Sequence, residues 1–98
     1  MSSVYHPDRW VVVQVEEHQK VLASWYGGYM GGDAWKLSSA IESVTEDAKA
    51  YYFKGHSGST YVCPKARSAY GMSGFTSSVY ARFKEQLPSL HEVEKYKP

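Results

Sequence analysis

Between Trp25 and Trp35 the chain reads WYGGYMGGDAW, four large aromatics and four glycines within eleven residues. No other stretch restricts the fold as strongly. Glycine lets the backbone take positive φ and approach other backbone closely. An aromatic ring buries a large area at low entropic cost and presents a flat face. The combination predicts one of two arrangements. In one, Trp25 and Trp35 are core anchors on neighbouring strands, and Gly27, Gly28, Gly31 and Gly32 are turns. In the other, Tyr26, Tyr29, Met30 and Trp35 stack on or wrap a partner, the glycines shape the loop, and Asp33 accepts hydrogen bonds from the ligand. Leucine and isoleucine are scarce, so some of these rings must serve the core. Five aromatic or sulfur side chains are nevertheless more than a turn needs.

Length and composition narrow the rest. With 98 residues the chain forms one domain, since two cores do not fit. Tyrosine supplies nine residues, which favours half-buried surfaces over a dry interior, because the hydroxyl end stays wet. The formal charge is +1 with acids and bases interleaved, against the basic stripe expected of a general nucleic-acid binder. A single cysteine, Cys63, permits no intrachain disulfide and reads as a small buried hydrophobe. No apolar run approaches the ~18 residues of a membrane span. The opening MSSVYHPDRW lacks the pattern of a secretory signal, so a cytoplasmic location is expected.

Strand signals dominate the first two thirds. His6-Pro7-Asp8 reads as a turn, and Trp10–Val15 as a strand of β-branched and aromatic residues. Glu16–Gln19 reads as a hairpin loop and Lys20–Tyr26 as the returning strand. Trp35–Ser39 alternates large and small residues as a third strand. Ile41–Val44 is a strand end or a short helical turn, followed by a turn at Thr45–Asp47. Ala50–Lys54 and Thr60–Cys63 are strands around the tight loop Gly55–Ser59, and Pro64 stops the second. Phe75, Val79, Phe83 and Leu87 recur every four residues and predict a helix from Gly74 to Leu87, with Ser73 as N-cap and Pro88 as terminator. Leu90–Tyr96 is an edge strand or a frayed tail. Strands followed by one helix predict an α+β domain, an antiparallel sheet of four to five strands with a C-terminal helix packed on it. A half-closed β-barrel with a helix is the alternative, since glycine kinks curl sheets.

Other chemistry-bearing residues are weaker signals. Lys65, Arg67 and Tyr70 lie before the helix and form a candidate anion-binding group. The glycines lack P-loop spacing, because Lys36 and Ser38 follow Gly32 at the wrong distance and a strand, not a helix, follows. A non-standard phosphate nest stays open. Ser57 in GHSGS has Gly55 before it but Ser59 where a nucleophile elbow needs glycine, so His56 with Ser57 or Asp33 is the least favoured, enzymatic reading. His6, His18, His56, His91 and Cys63 show no paired metal-ligand spacing. No cofactor is implied.

The runs SWYGGYMGGDAWKLSSAI (Ser24–Ile41), Tyr70-Gly71-Met72-Ser73-Gly74 and HPDRWVVV (His6–Val13) carry a resemblance. Together they resemble a family of small uncharacterised bacteriophage proteins. The resemblance implies a context only: small proteins of that kind often act by binding a host factor, including components of host defence. The expectation is therefore a non-enzymatic binding module. Its partner is a host or phage protein, held on the face from Tyr26 to Trp35. A binder of a nucleotide-like small molecule is the runner-up, its base stacked on the rings and its phosphate held by Lys65 or Arg67. A virion structural piece is a further class, and an edge strand beside an aromatic patch is compatible with a homodimer.

Overall fold

The run Trp10-Val11-Val12-Val13 offers no polar position, so a strand made of it must be covered on both faces. The computed structural model, which describes residues 3–25, 35–70 and 80–97, meets that demand with two sheets. Strands β2 (Arg9–Val15) and β3 (His18–Ser24) pair along their whole length, from Arg9↔Ser24 to Val15↔His18. A two-residue turn, Glu16-Glu17, joins them, with Glu16 at φ 56. Strand β4 (Trp35–Leu37) adds to β3 and β8 (His91–Glu92) to β2, giving the order β4-β3-β2-β8.

The second sheet has the order β1-β7-β6-β5. It comprises β1 (Val4–Tyr5), β5 (Ile41–Glu46), β6 (Ala50–Gly55) and β7 (Thr60–Pro64). β1 runs parallel to β7, and the other pairs are antiparallel. Gly55 and Gly58 have specific reasons to be glycine in the β6–β7 connection. A Cβ at Gly55 would lie 2.5 Å from Ser39 Oγ, and Gly58 sits at φ +94.

Strand alternation sorts the apolar residues into two layers. Trp10, Val12, Val21 and Ala23 face the second sheet and meet Phe53 and Cys63, with Tyr96 closing the side. Val11, Val13 and Leu22 face the opposite way, with Trp35, Ala69 and Leu90, and are covered by Tyr80, Phe83 and Leu87. Trp10 sits at the centre of the inter-sheet layer. Its Nε1–H donates to Pro64 O at 2.7 Å, and its ring meets those of Tyr51, Phe53 and Tyr70 with centroids 5.7–6.1 Å apart. Such tilted and edge-on contacts suit the ring quadrupole.

An α+β domain built on sheet is broadly compatible with this structure, but the expected single sheet of four to five antiparallel strands is corrected to two four-stranded sheets in a mostly β fold, one carrying a parallel pair. Hydrophobic alternation assigns a strand two faces but does not say which strands lie beside it. Neither sheet closes into a barrel among the described residues, the alternative having been a half-closed one. The long C-terminal helix is not supported: the described helix α1 spans only Ala81–Gln86. Residues 74–79 and the Ser73 cap lie outside the described residues. Ile41–Glu46 is strand throughout, and Leu90–Tyr96 contains β8 followed by a 3-10 turn that buries Tyr96.

Two polar devices close the ladders. The Tyr70 hydroxyl lies where β8 leaves β2, accepting from Val12 N at 3.2 Å and donating toward Val93 O at 2.7 Å, with Val12 O 3.2 Å away. In the β5–β6 turn, Asp47 Oδ1 accepts from Lys49 N and Ala50 N, and Oδ2 from the Tyr52 hydroxyl at 2.7 Å. The Tyr52 bond and then these backbone bonds hold the Asp47 carboxyl below its usual range, while the same carboxylate raises Tyr52.

Tyr70→Phe leaves the Val12 N–H without its acceptor and is expected to lower stability by about 1–2 kcal/mol. Urea unfolding checks this as a lower midpoint at constant slope. Because the Asp47 pKa is depressed in the folded state, its contribution is present above the unfolded value and fades as pH falls through the folded one. Asp47→Asn should therefore be less stable than wild type at neutral pH, and the gap in Tm should shrink as the carboxylate protonates.

Candidate functional site

The glycine-aromatic segment begins and ends at a defined doorway, the facing ends of two paired strands. Ser24 and Trp35 are cross-strand partners, so ten residues join the adjacent ends of β3 and β4. A hairpin connection ordinarily needs ~2–5. Trp35 is only 4 % exposed and packs in the layer of Val11, Leu22 and Leu90. It anchors the hairpin and is not a solvent-facing contact, which corrects the expectation that it touches a partner. Tyr26, Tyr29, Met30 and Asp33, with the four glycines, lie outside the described residues.

Trp25 turns the other way. It is half-buried against the inter-sheet layer and meets the Tyr5 ring edge-on at 6.1 Å. Tyr5 is paired with Tyr61 across β1 and β7, their rings 5.2 Å apart and tilted. Tyr5 is 39 % exposed. Burial, and then the neighbouring Tyr5, pushes the Tyr61 hydroxyl above its ordinary pKa, so it stays a neutral donor and acceptor. Three rings thus stand together at the foot of the hairpin. Sequence reading misses Tyr5 and Tyr61 because no local spacing brings positions 5, 25 and 61 together; the parallel β1–β7 pairing joins Tyr5 to Tyr61, and the packing of the two sheets brings Trp25 to Tyr5.

The candidate anion group is not assembled. Lys65 Nζ pairs with Glu46 Oε2 at 2.6 Å and lies 4.9 Å from the centre of the Tyr51 ring. The Glu46 bond chiefly holds its ammonium charged above the ordinary lysine range. Tyr70 spends its hydroxyl on the β2–β8 junction. Arg67 ends an exposed 3-10 turn, Lys65–Arg67. Lys65 and Tyr70 therefore serve different partners.

The histidine–serine loop forms contacts of another kind. A bulge at Glu42 in β5 turns its carboxylate toward His56, Oε2 to Nδ1 at 3.0 Å, with the two side chains 53 % and 79 % exposed. Ser57 Oγ pairs with Ser39 Oγ at 3.2 Å, not with His56. A base must reach the proton that it removes, and Ser57 is engaged elsewhere. Among the described residues no three His, Cys, Asp or Glu side chains gather as a metal group, and no helix is long and apolar enough to cross a membrane.

One further residue escapes sequence reading. Arg9 opens β2 beside Ser24, and Ser24 lies beside Trp35, so the three form one row across the doorway on the Val11–Val13 face. Charge in a sequence carries no burial, so nothing marks Arg9 in advance. No protein-family model, curated protein or solved structure matches the chain.

Cys63 is fully buried between the sheets, and burial pushes its thiol far above the ordinary range. A thiol reagent should therefore leave the native protein unlabelled and react once the fold is opened with denaturant. Rapid labelling of native protein would contradict the packing of this layer.

Proposed function

We propose that the chain is a non-enzymatic binding module, a phage accessory protein that holds a host factor, a component of host defence among the candidates, on the hairpin between Trp25 and Trp35. Its place of action is the cytoplasm of the host cell. One observation carries the reading: a connection far longer than the strand pairing requires, rich in rings and glycine, begins at Trp25, which stands with Tyr5 and Tyr61 in a half-exposed cluster. Tyrosine and tryptophan dominate the energetics of protein interfaces, and rings fixed at a loop's foot lose little entropy on contact. Trp35 contributes by locking one end of the hairpin into the core.

Affinity capture from host lysate, followed by mass spectrometry, identifies the partner. Tyr29→Ala and Met30→Ala should each weaken that partner's binding by more than about 1 kcal/mol while leaving the fold intact. Unchanged affinity in both would move the interface elsewhere. The alternative, a sequestrant of a nucleotide-type molecule, is favoured by the same rings, whose faces suit a base equally well. A native-state ligand raises the unfolding midpoint, so a nucleotide panel read by thermal shift separates the two.

A further inference from the structure

Tyr5, Trp25 and Tyr61 converge from β1, the end of β3 and β7, and no cation of the chain serves them. The Tyr5 plane lies at 75° to Trp25 and at 31° to Tyr61, with centroids 6.1 and 5.2 Å apart, so the rings turn a corner instead of forming one stack. Tyr5 is 39 % exposed, and Trp25 and Tyr61 are half-buried, so solvent reaches the group.

Elsewhere in the molecule, tyrosine rings are met by lysine. Lys65 Nζ lies 4.9 Å from the centre of Tyr51, Lys84 Nζ 5.8 Å from Tyr80 and Lys95 Nζ 5.7 Å from Tyr96. All eleven lysines and arginines of the chain fall within the described residues, and none is placed over Tyr5, Trp25 or Tyr61. The negative face of an aromatic ring attracts a cation, tryptophan most strongly, and cages of such rings hold ammonium groups. Asp8 adds charge of the same sign: its N–H donates to the carbonyl of the Ser24–Trp25 peptide at 2.7 Å, which sets an acidic residue beside Trp25. A solvent-facing group of rings that the chain's own cations leave uncapped is complementary to a cation from outside. We propose that the Tyr5–Trp25–Tyr61 cluster receives a lysine or arginine side chain of a partner protein. This rests on the chain being a protein-binding module, and it adds what the partner presents: a cationic head whose methylene stem lies along the rings.

The test uses the isolated full chain and blocked amino acids, so its result is independent of partner capture. N-acetyl-arginine amide is compared with N-acetyl-citrulline amide, and N-acetyl-lysine amide with N-acetyl-norleucine amide, at constant ionic strength. Each pair keeps the side-chain stem and removes the charge. The Trp25 indole Nε1–H resonance of 15N-labelled protein, identified by its loss in Trp25→Leu, is expected to shift saturably with at least one charged probe. The neutral counterpart should bind about two- to fivefold more weakly. Tyr5→Leu keeps an apolar side chain without the ring, and should reduce the charged probe to the level of the neutral one. A Trp25 signal unmoved by both charged probes overturns the proposal. Equal affinity within both pairs overturns it as well, since the cluster would then be a plain apolar patch. Tyr5 lies in a two-residue strand at the edge of its sheet, so its substitution spares the core. Should Tyr5→Leu fail to fold, the wild-type comparison decides. A captured partner without any charge-selective shift would leave the binding module standing and remove only the cation; a charge-selective shift with no effect of the hairpin substitutions would do the reverse.

Discussion

Two-sided burial of the β2–β3 pair is the constraint from which the other layers follow. Seven residue pairs in register, Arg9↔Ser24 to Val15↔His18, fix which side chains look each way. Trp10, Val12, Val21 and Ala23 require one cover, and Val11, Val13 and Leu22 require another. The second sheet supplies the first and the C-terminal segment the second. Burying a valine or leucine side chain is worth roughly 1.5–3 kcal/mol, so a one-residue slip of this register would turn both layers against their covers at once. The Tyr70 hydroxyl, bonded to both Val12 and Val93, then fixes where the C-terminal segment meets the β2 edge.

Local pattern and long-range pairing divide what the sequence makes readable. Trp10–Val15, Ala50–Lys54 and Thr60–Cys63 are legible because β-branched and aromatic runs end in clear turn residues. The split into two sheets is not, because alternation is blind to neighbours. The period-four set Phe75, Val79, Phe83 and Leu87 reads as a long helix, whereas the described helix covers only Ala81–Gln86, with Phe83 and Leu87 turned to the core. In the candidate site, composition alone singles out the glycine-aromatic segment. The assignment of Trp35 to the interior and the gathering of Tyr5 with Tyr61 depend on strand pairings that no spacing rule encodes.

Open sheets expose unpaired backbone, and this one limits the hazard with ordinary means. β1 and β8 are two residues long and β4 three, too short to template another chain. The long free edge, β5, carries the bulge at Glu42 and acidic side chains at positions 42 and 46. Glu42 meets His56, and Glu46 meets Lys65, so each carboxylate is also tied to its own sheet. These edges therefore direct attention away from strand addition and toward the hairpin end of the molecule.

The cross-strand pairing of Ser24 with Trp35 has a consequence for how such a chain can change. Both feet of the connection are clamped by a ladder that the rest of the core stabilises, and loop closure between adjacent points becomes only slowly less favourable as residues are added. With Trp25 packed on one layer and Trp35 buried in the other, a longer connection between them carries little added closure cost. The architecture thus separates inheritance from novelty: a conserved-volume interior can be kept while the rim is rewritten, much as an immune receptor diversifies its loops on a constant frame.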